Sequence, residues 1–283
     1  GYDVLRVKRF EKQKRLGLVK SSMSLPVFEK EFDGNRPKWD DLDSLQRQEW
    51  TRKMATYAAM IEIMDEGVGK VVKAIKDKGI LENTIFIFLS DNGASDEGGY
   101  MGRLMADLSN TPFRNYKKSC YLGGVSSPLI ITFGDLSLKK KESNICYQMA
   151  HIIDILPTCI DLASVEYINK DQLPGESLLP ILKNGIIKNR TLYFEHRSSC
   201  SIIDGKWKLV RADKKSKWEL FDLSVDPFET MDLSDHYDRK VILLEKKWND
   251  WAYKNNVFPL EDMRWKYRIP YYKSKNSDQD GID

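Results

Sequence analysis

A long amphipathic run followed by a short strand-forming run is the feature that most restricts the fold of this chain. Apolar residues recur at helical spacing from about Ser44 to Lys78, and Gly79 follows as a helix C-cap would. Residues 84–89 then form a β-branched and aromatic run, which is typical of a strand buried on both faces. A helix that leads directly into such a strand predicts an α/β fold, with the apolar stripe of the helix packed in a core.

The residues after this strand are the first candidates for chemistry. Ser90-Asp91-Asn92-Gly93 begins where the strand ends, and open α/β sheets bind ligands at the carboxyl ends of their strands. The Asp91 carboxylate and the Asn92 carboxamide are oxygen ligands suited to a hard divalent cation. Asp-Asn-Gly is also ordinary turn chemistry. From these residues alone, a tight turn and a metal site both stay open.

A second candidate lies in residues 110–124, where cationic side chains precede the pair Gly123-Gly124. Lys117 and Lys118, held beside a metal, would suit a tetrahedral oxyanion such as sulfate or phosphate. The alternative is a solvated basic loop, which is the commoner role of an isolated lysine. The whole segment 93–127 is too long to be a passive connector.

The remaining elements are predicted from periodicity. We expect a helix over 2–17, a strand over 128–133, and a helix over about 144–163 that Pro157 kinks or divides. From about Lys183 the pattern changes to that of a small antiparallel meander, with strands near 191–195, 200–204, 206–212 and 217–222. A helix near 238–254 follows, and the candidates for its buried face are Ile242, Leu243, Trp248 and Trp251.

Composition excludes several classes of function. A formal net charge of +3 on 283 residues does not indicate nucleic-acid binding, and no stretch has the length of a transmembrane helix. The 4 cysteines and 3 histidines show no zinc-ligand, disulfide-framework or HExxH spacing. The chain opens at Gly1 without an initiator methionine or a signal-like segment, so we expect it to be the interior of a longer protein.

A series of segments in one order resembles the C-terminal half of the arylsulfatase-type sulfatases, within the alkaline-phosphatase-like superfamily. The segments are YAAMIEIMDEGVGKVVKAI, NTIFIFLSDNG, SNTPFRNYKKSCYLGGVSSPLI, HIIDILPTCIDLA, LPGESLLPIL, DGKWKLV and WELFDLSVDPFETMDL. The resemblance implies a mixed sheet sandwiched by helices, with a small C-terminal antiparallel sheet and helix. It implies three parts: the end of the catalytic domain over 1–182, a small subdomain over 183–273, and a flexible tail over 274–283.

The resemblance also implies a chemistry. Asp91 and Asn92 match the two Ca²⁺ ligands that this half supplies. Lys117 matches the lysine that contacts the sulfate and helps to protonate or stabilise the leaving oxygen, with Lys118 as its nearest competitor for substrate binding. Arg114 is expected to organise the loop. In such enzymes a formylglycine hydrate, made from a CxPxR or SxPxR motif, attacks the sulfate ester, and a histidine base assists the later collapse of the intermediate.

The chain departs from the family pattern in ways that matter. It has no CxPxR or SxPxR motif and lacks the acidic pair that completes the Ca²⁺ site. We therefore expect the nucleophile and the other metal ligands in a missing N-terminal half, and no turnover by this chain alone. Leu122 stands where many members carry Glu. A pseudo-sulfatase that only binds, and a phosphoester or phosphonate hydrolase, are the alternatives. Family members are commonly exported, periplasmic or lysosomal.

Overall fold

The chain forms two compact units, and each unit is built from two separate stretches of the sequence. A computed structural model describes residues 1–27, 39–97, 100–134, 145–167, 169, 172–183, 185–257 and 260. The first unit comprises Gly1–Pro112 and Ser126–Asn189, and the second comprises Phe113–Val125 and Arg190–Asp283. The domain limits expected at 182 and 273 stay a prediction, and the expected tail over 274–283 lies outside the described residues.

In the first unit, helices lie before, between and after two strands, and in the second unit four strands precede a long helix. In chain order the helices are α1 Tyr2–Arg15, α2 Ser44–Asp77, α3 Tyr100–Asn110, α4 Leu122–Val125, α5 Ile155–Leu162, α6 Leu179–Leu182 and α7 Asp238–Lys254. The strands are β1 Ile85–Leu89, β2 Leu129–Phe133, β3 Thr191–His196, β4 Ser199–Asp204, β5 Trp207–Arg211 and β6 Glu219–Asp222. Within the described ranges, none of these helices is long and apolar enough to cross a membrane.

Local signals at both ends define α2 as the sequence predicts. A capping box opens the helix, with the Gln46 N–H donating to Asp43 Oδ1 at 2.8 Å and the Asp43 N–H donating to Gln46 Oε1 at 3.0 Å. Gly79 follows the last turn with φ +70°, and its N–H donates to the Lys76 carbonyl oxygen. The Ile80 N–H reaches back to Ile75. These two bonds form a Schellman motif, which satisfies the final carbonyl groups of the helix.

The apolar stripe of α2 does not form a core, and that part of the prediction is wrong. No residue of α2 is buried, and Met60, Ile63 and Val71 are 63%, 66% and 57% exposed. Only the N-terminal part contributes to a cluster, where Trp50 and Met54 pack near buried residues of α1 and α3. Among the described residues, no element covers the rest of the stripe.

β1 and β2 form a two-stranded antiparallel sheet that opposes Ile87 to Ile131. The strand predicted over 84–89 is present, but its burial on both faces is not observed: Ile85 is 36% exposed and Phe88 is 38% exposed. β2 is the one partner strand of β1 in the described ranges. Nothing there covers both faces of the pair, which explains the difference.

A helix that was not predicted, α3, lies within the 93–127 segment. Leu104 and Leu108 are 5% and 4% exposed and pack with Tyr2 of α1. Side chains of α1 also donate to carbonyl oxygens at the end of α3, with Arg9 reaching Ser109 and Gln13 reaching Thr111 at 3.0 and 2.8 Å. The spacing of Leu104 and Leu108 is helical, but the glycines around it favoured a loop.

Of the long helix expected over 144–163, the described residues form only the second part, and Asp154 is buried just before it. Residues 145–151 are not helical, a 3₁₀ turn covers Ile152–Asp154, and α5 begins only at Ile155. Asp154 accepts from the N–H groups of His151 at 2.7 Å and Glu176 at 3.0 Å. Pro157 lies in the first turn of α5, where no helical N–H partner is lost, so it does not kink the helix.

The second unit is built on the predicted meander, with strand order β3-β4-β5-β6 and antiparallel pairing throughout. Gly205, with φ +60°, allows the tight turn between β4 and β5. The sheet has apolar side chains on both faces. α7 packs on one face, and the segment Phe113–Val125 contributes Cys120 and Tyr121 to the core on the other face.

The buried face of α7 differs from the predicted one. Leu244, Trp248 and Ala252 are fully buried against the sheet, whereas Ile242 and Leu243 are 66% and 47% exposed. The buried residues follow a spacing of four, which places them on one side of the helix. The prediction was correct for Trp248, and Trp251 is partly buried beside it. It was wrong for Ile242 and Leu243, because they lie on the opposite side.

Candidate functional site

The turn after β1 is held in place by hydrogen bonds to the residues before β2. The Ser90 N–H donates to the Pro128 carbonyl oxygen at 3.2 Å, and the Ser127 hydroxyl donates to the Ser90 carbonyl oxygen at 2.7 Å. The Ser90 hydroxyl donates to the Asn92 carbonyl oxygen at 2.8 Å. These contacts fix the backbone on which the two predicted metal ligands lie.

Asp91 and Asn92, at adjacent positions of the chain, offer two candidate oxygen ligands for a metal ion. The Asp91 side chain is exposed, and the Asn92 side chain is partly buried. The Asn92 amide nitrogen donates to the Gly93 carbonyl oxygen at 2.8 Å, which orients the side-chain amide. Carboxylate and amide oxygens are the hard ligands that Ca²⁺ prefers. In the described part of the chain, no group of three or more His, Cys, Asp or Glu side chains is arranged to hold a metal ion.

The end of α3 contributes a further contact to this region. The Asn110 side-chain oxygen accepts from the Ala94 N–H at 3.0 Å. It thereby ties the backbone just after Gly93 to the last residue of the helix. The sequence did not predict this contact, because it depends on α3, which was itself missed.

Lys117 and Lys118 occupy the two central positions of a four-residue turn. The Ser119 N–H donates to the Tyr116 carbonyl oxygen at 3.1 Å, which closes the turn. Lys118 has φ +79°, in the left-handed region that usually requires glycine at the third position of a type II turn. Both lysine side chains are partly buried. The two lysines therefore lie in a defined turn, and their roles stay a prediction.

The Gly-Gly pair closes the segment on itself. The Gly123 N–H donates to the Arg114 carbonyl oxygen at 2.8 Å. A Cβ atom on Gly123 would collide with the carbonyl oxygens of Arg114 and Asn115, and a Cβ on Gly124 would collide with that of Ser119. Both positions therefore need glycine for close approach of the backbone.

The Glu219 carboxylate holds the segment on the sheet. Arg114 Nη1 donates to Glu219 Oε2 at 2.6 Å, and the Tyr121 hydroxyl donates to Glu219 Oε1. The Arg114 guanidinium also lies 4.1 Å from the Tyr121 ring centroid. Burial raises the pKa of Tyr121, so the phenol stays a hydrogen-bond donor at neutral pH. These contacts agree with the loop-organising role expected for Arg114.

Two buried cysteines near the segment are structural. The Cys120 N–H donates to the Ser199 hydroxyl at 3.0 Å, and Cys120 Sγ contacts the Ser199 carbonyl oxygen at 3.2 Å. Burial raises the pKa of Cys120 to about 11 and that of Cys200 to about 12. Both thiols therefore stay protonated at neutral pH, and they are not activated nucleophiles.

The local structure also explains the positions of His151 and His196. His151 Nδ1 accepts from the Ile153 N–H at 3.2 Å and caps the 3₁₀ turn, which is a structural role. His196 is the last residue of β3 and is exposed.

The structure places the predicted residues in two pairs, one in each unit. Asp91 and Asn92 lie in the turn after β1 of the first unit, and Lys117 and Lys118 lie in the turn of the second. The residues that hold the second pair were missed, namely Lys208, Glu219 and Glu229. The sequence contained a signal for Lys208 and Glu219. Each lies two positions before an apolar residue on a buried face of its strand.

Solved structures share this fold. The protein Ps i-CgsB has a TM-score of 0.59 and 19% identity, over 96% of this chain and 58% of that chain. A putative sulfatase, yidJ, from Bacteroides fragilis has a TM-score of 0.54 and 19% identity, over 90% of this chain and 52% of that chain. These similarities confirm the predicted α/β fold of the alkaline-phosphatase-like type.

Curated relatives are sulfatases by name. An uncharacterized sulfatase of Schizosaccharomyces pombe is 29% identical, over 83% of this chain and 49% of the relative. Arylsulfatase J of Mus musculus is 25% identical, over 78% and 45%. N-acetylgalactosamine-6-sulfatase of Rattus norvegicus is 27% identical, over 60% and 31%. The chain thus spans about half, or less, of the length of these relatives.

Two family models match overlapping parts of the chain. The model for the C-terminal part of N-sulphoglucosamine sulphohydrolase matches residues 114–251. The model described as Sulfatase matches residues 20–165, which is more than half of the chain. Together with the order of the motifs and the shared fold, this match shows that the chain belongs to the sulfatase family.

Proposed function

We propose that the longer polypeptide containing this chain is a calcium-assisted sulfuric ester hydrolase, and that this chain supplies part of its active site. Asp91 and Asn92 are two of the Ca²⁺ ligands, and Lys117 contacts the sulfate group. The observation that carries the proposal is the closed turn at Lys117 in a chain of this family, because a lysine in a defined turn can be aimed at an anion.

The donor set at the turn after β1 fits calcium. Asp91 supplies an exposed carboxylate, and the Asn92 amide is oriented by its bond to Gly93. Ca²⁺ takes about six to eight oxygen ligands, so these two are a partial set and the others come from outside the chain. When bound, the ion offsets negative charge on the transferring group.

Lys117 supplies a positive charge where the sulfate is held. Its ammonium group donates hydrogen bonds to the sulfate oxygens and to the leaving oxygen as negative charge develops there. Partial burial of the side chain strengthens this interaction relative to a fully solvated lysine. Lys118 is the second substrate-binding candidate, in the adjoining position of the same turn.

The nucleophile of the proposed reaction lies outside these residues. The chain contains no CxPxR or SxPxR motif, so the proposal assigns the formylglycine to a missing N-terminal half, and the chain alone is inactive. The exposed apolar residues of α2 and of the β1–β2 sheet support this, because another segment of a longer polypeptide would bury them. The identity of the alcohol is left open, and an exported, periplasmic or lysosomal location follows the family pattern.

The test uses the full-length polypeptide. The coding sequence upstream of Gly1 is read first, and the protein is then assayed with an aryl sulfate. We expect Asp91→Ala and Lys117→Ala each to lower kcat by about 100-fold or more, since each removes a group that stabilises charge in the transition state. Glu82→Ala, at an exposed position before β1, is the control and should leave kcat unchanged.

Three results would contradict the proposal. A complete gene without a CxPxR or SxPxR motif would favour a pseudo-sulfatase that only binds. Turnover of an aryl phosphate in preference to the sulfate would favour the phosphoester alternative. Near wild-type kcat in both Asp91→Ala and Lys117→Ala would refute the roles assigned to these residues.

A further inference from the structure

A fully buried ion pair lies beneath the lysine-bearing segment. Lys208 Nζ is 2.7 Å from Glu229 Oε1, and both side chains are 0% exposed. Burial lowers the pKa of Lys208 and raises that of Glu229, and the attraction between the two groups opposes both shifts. Burying two charges is costly, and an apolar pair of similar volume often stabilises a fold as well or better. The pair therefore calls for a reason other than stability.

The second oxygen of Glu229 gives that reason. Glu229 Oε2 accepts from the Leu122 N–H at 2.7 Å. Leu122 is the residue before Gly123-Gly124, and its N–H opens the short helix α4. The carboxylate thus joins Lys208 of β5 to the backbone of the segment that carries Lys117. An apolar residue at 229 could fill the space but could not accept this hydrogen bond.

The backbone conformation of Glu229 also indicates that a glutamate side chain is needed at this position. Its φ is +59°, in the left-handed region where glycine is favoured. A glutamate there is strained, and strained positions persist where the surrounding structure requires the side chain. The turn is also held by Asp226, whose carboxylate accepts from the N–H groups of Thr230 and Met231 at 2.8 Å. The strained position places the carboxylate under the segment.

Two carboxylates therefore hold the segment on either side of the lysine turn. Glu219 bonds Arg114 before the turn and Tyr121 after it, and Glu229 bonds the backbone of Leu122. Lys117 and Lys118 lie between these contacts along the chain. The attraction of Lys208 opposes the rise that burial causes in the pKa of Glu229, and an ionised carboxylate is the stronger acceptor.

We propose that Lys208 and Glu229 are positioning residues for Lys117. The pair holds the Leu122 N–H, and through it the closed turn, so that the Lys117 ammonium stays in place for the transferring sulfate. The inference rests on the proposed function for its catalytic part. Glu229 holds the segment whether or not the protein has the proposed activity. The test can therefore distinguish a failure of this holding role from a failure of the proposed function.

The test compares two double variants of the full-length polypeptide. Lys208→Met with Glu229→Gln removes both charges but keeps an oxygen acceptor for the Leu122 N–H. Lys208→Met with Glu229→Met removes the acceptor as well. Each leaves one buried donor unpaired, the Gln amide in the first and the Leu122 N–H in the second, so their overall stabilities should be similar. Glu229→Ala alone is avoided, because removing one partner of a buried ion pair is strongly destabilising.

Two measurements are made on each variant. Hydrogen exchange at the Leu122 amide should be about tenfold faster in the Met/Met variant than in the Met/Gln variant, while amides of β4 and β5 exchange equally in both. In the aryl sulfate assay, kcat should fall about tenfold or more in the Met/Met variant, with KM changed by less than about threefold, since misplacement of a group mainly affects the transition state. The Met/Gln variant should stay near wild type.

A matched control separates position from stability. Leu244→Ala creates a cavity on the α7 face of the sheet, away from the segment. It should lower the melting temperature without changing kcat below the unfolding transition.

Three other results would each contradict part of the inference. Equal exchange of the Leu122 amide in the two double variants would overturn the role of Glu229. Faster exchange with unchanged kcat would overturn the link to Lys117. If Lys117→Ala itself leaves kcat unchanged, the proposed function fails and takes the catalytic part with it, and the exchange data alone then decide whether the pair holds the segment.

Discussion

Both faces of the four-stranded sheet are covered by the chain itself, whereas α2 and the β1–β2 pair leave most of their apolar side chains exposed. On the sheet, α7 buries Trp248 on one face and the segment Phe113–Val125 buries Tyr121 on the other. On α2, no residue is buried. In both regions the sequence predicts apolar faces that need to be buried. The difference shows that periodicity identifies a face to be buried but not the part of a polypeptide that covers it.

The largest expected effect tests the cores directly. Trp248→Ala should lower the free energy of unfolding by about 3–5 kcal/mol, because it empties a fully buried site. Met60→Ala on α2 should change it by less than about 0.5 kcal/mol in this chain, because Met60 is 63% exposed. Urea unfolding of both variants measures the contrast. In the longer polypeptide, a cost of about 2 kcal/mol or more for Met60→Ala would show that α2 is covered there.

The next prediction concerns the face covered by the segment. Glu219→Ala removes the shared partner of Arg114 and Tyr121, and should lower the free energy of unfolding by about 1.5–3 kcal/mol. Hydrogen exchange at the Cys120 amide should also become faster in this variant. Glu245→Ala is the matched control on the α7 side, where Glu245 accepts from the Trp218 indole at 2.9 Å. Unchanged Cys120 exchange in Glu219→Ala would mean that apolar packing alone holds the segment.

A smaller effect is expected at the last residue of β4, an internal strand of the same sheet. The hydrogen bond from Lys247 lowers the pKa of Asp204. A lowered carboxyl pKa stabilises the fold above the unfolded value of about 3.9, and this contribution is lost as the pH falls below it. Both side chains are partly exposed, so the pair contributes less than about 1 kcal/mol. Urea midpoints at pH 6 and pH 3 should differ less in Lys247→Met than in wild type, and an equal difference would contradict the assignment.

The smallest effect separates the two lysines of the turn. Lys118→Gly should raise the free energy of unfolding by up to about 1 kcal/mol, because its φ of +79° suits glycine. Lys117→Gly should lower it by about 0.5–1 kcal/mol, because only the unfolded chain gains freedom. Thermal unfolding measures both. A destabilised Lys118→Gly would indicate that the Lys118 side chain makes contacts worth more than the strain.

The predictions from sequence succeeded where local signals decide the structure. The end of α2 was predicted from Gly79, and the meander was predicted from short strand-forming runs separated by turn residues such as Asp204-Gly205. They failed where a residue far along the chain takes part: the Asp154 side chain, in the 3₁₀ turn before α5, accepts from the N–H of Glu176.

The candidate site divides in the same way. The placement of Asp91, Asn92, Lys117 and Lys118 in turns could be predicted from Gly, Asn and their neighbours, and their chemical roles stay predictions. The contacts that fix the segment could not be predicted, because Glu219 and Glu229 lie more than 100 positions further along the chain. Only the alternation of Lys208 and Glu219 with apolar residues indicated that charges would be buried there.

The division of the second unit between Phe113–Val125 and Arg190–Asp283 has a consequence for recombination. A crossover near residue 190 would transfer the sheet and α7 to another protein without the residues that cover Val210 and Phe221. The recipient would have to supply an equivalent of Tyr121 and of the Leu122 N–H, or expose that face. Exchange of this module between relatives is therefore restricted to partners whose own 113–125 equivalents already fit the incoming sheet.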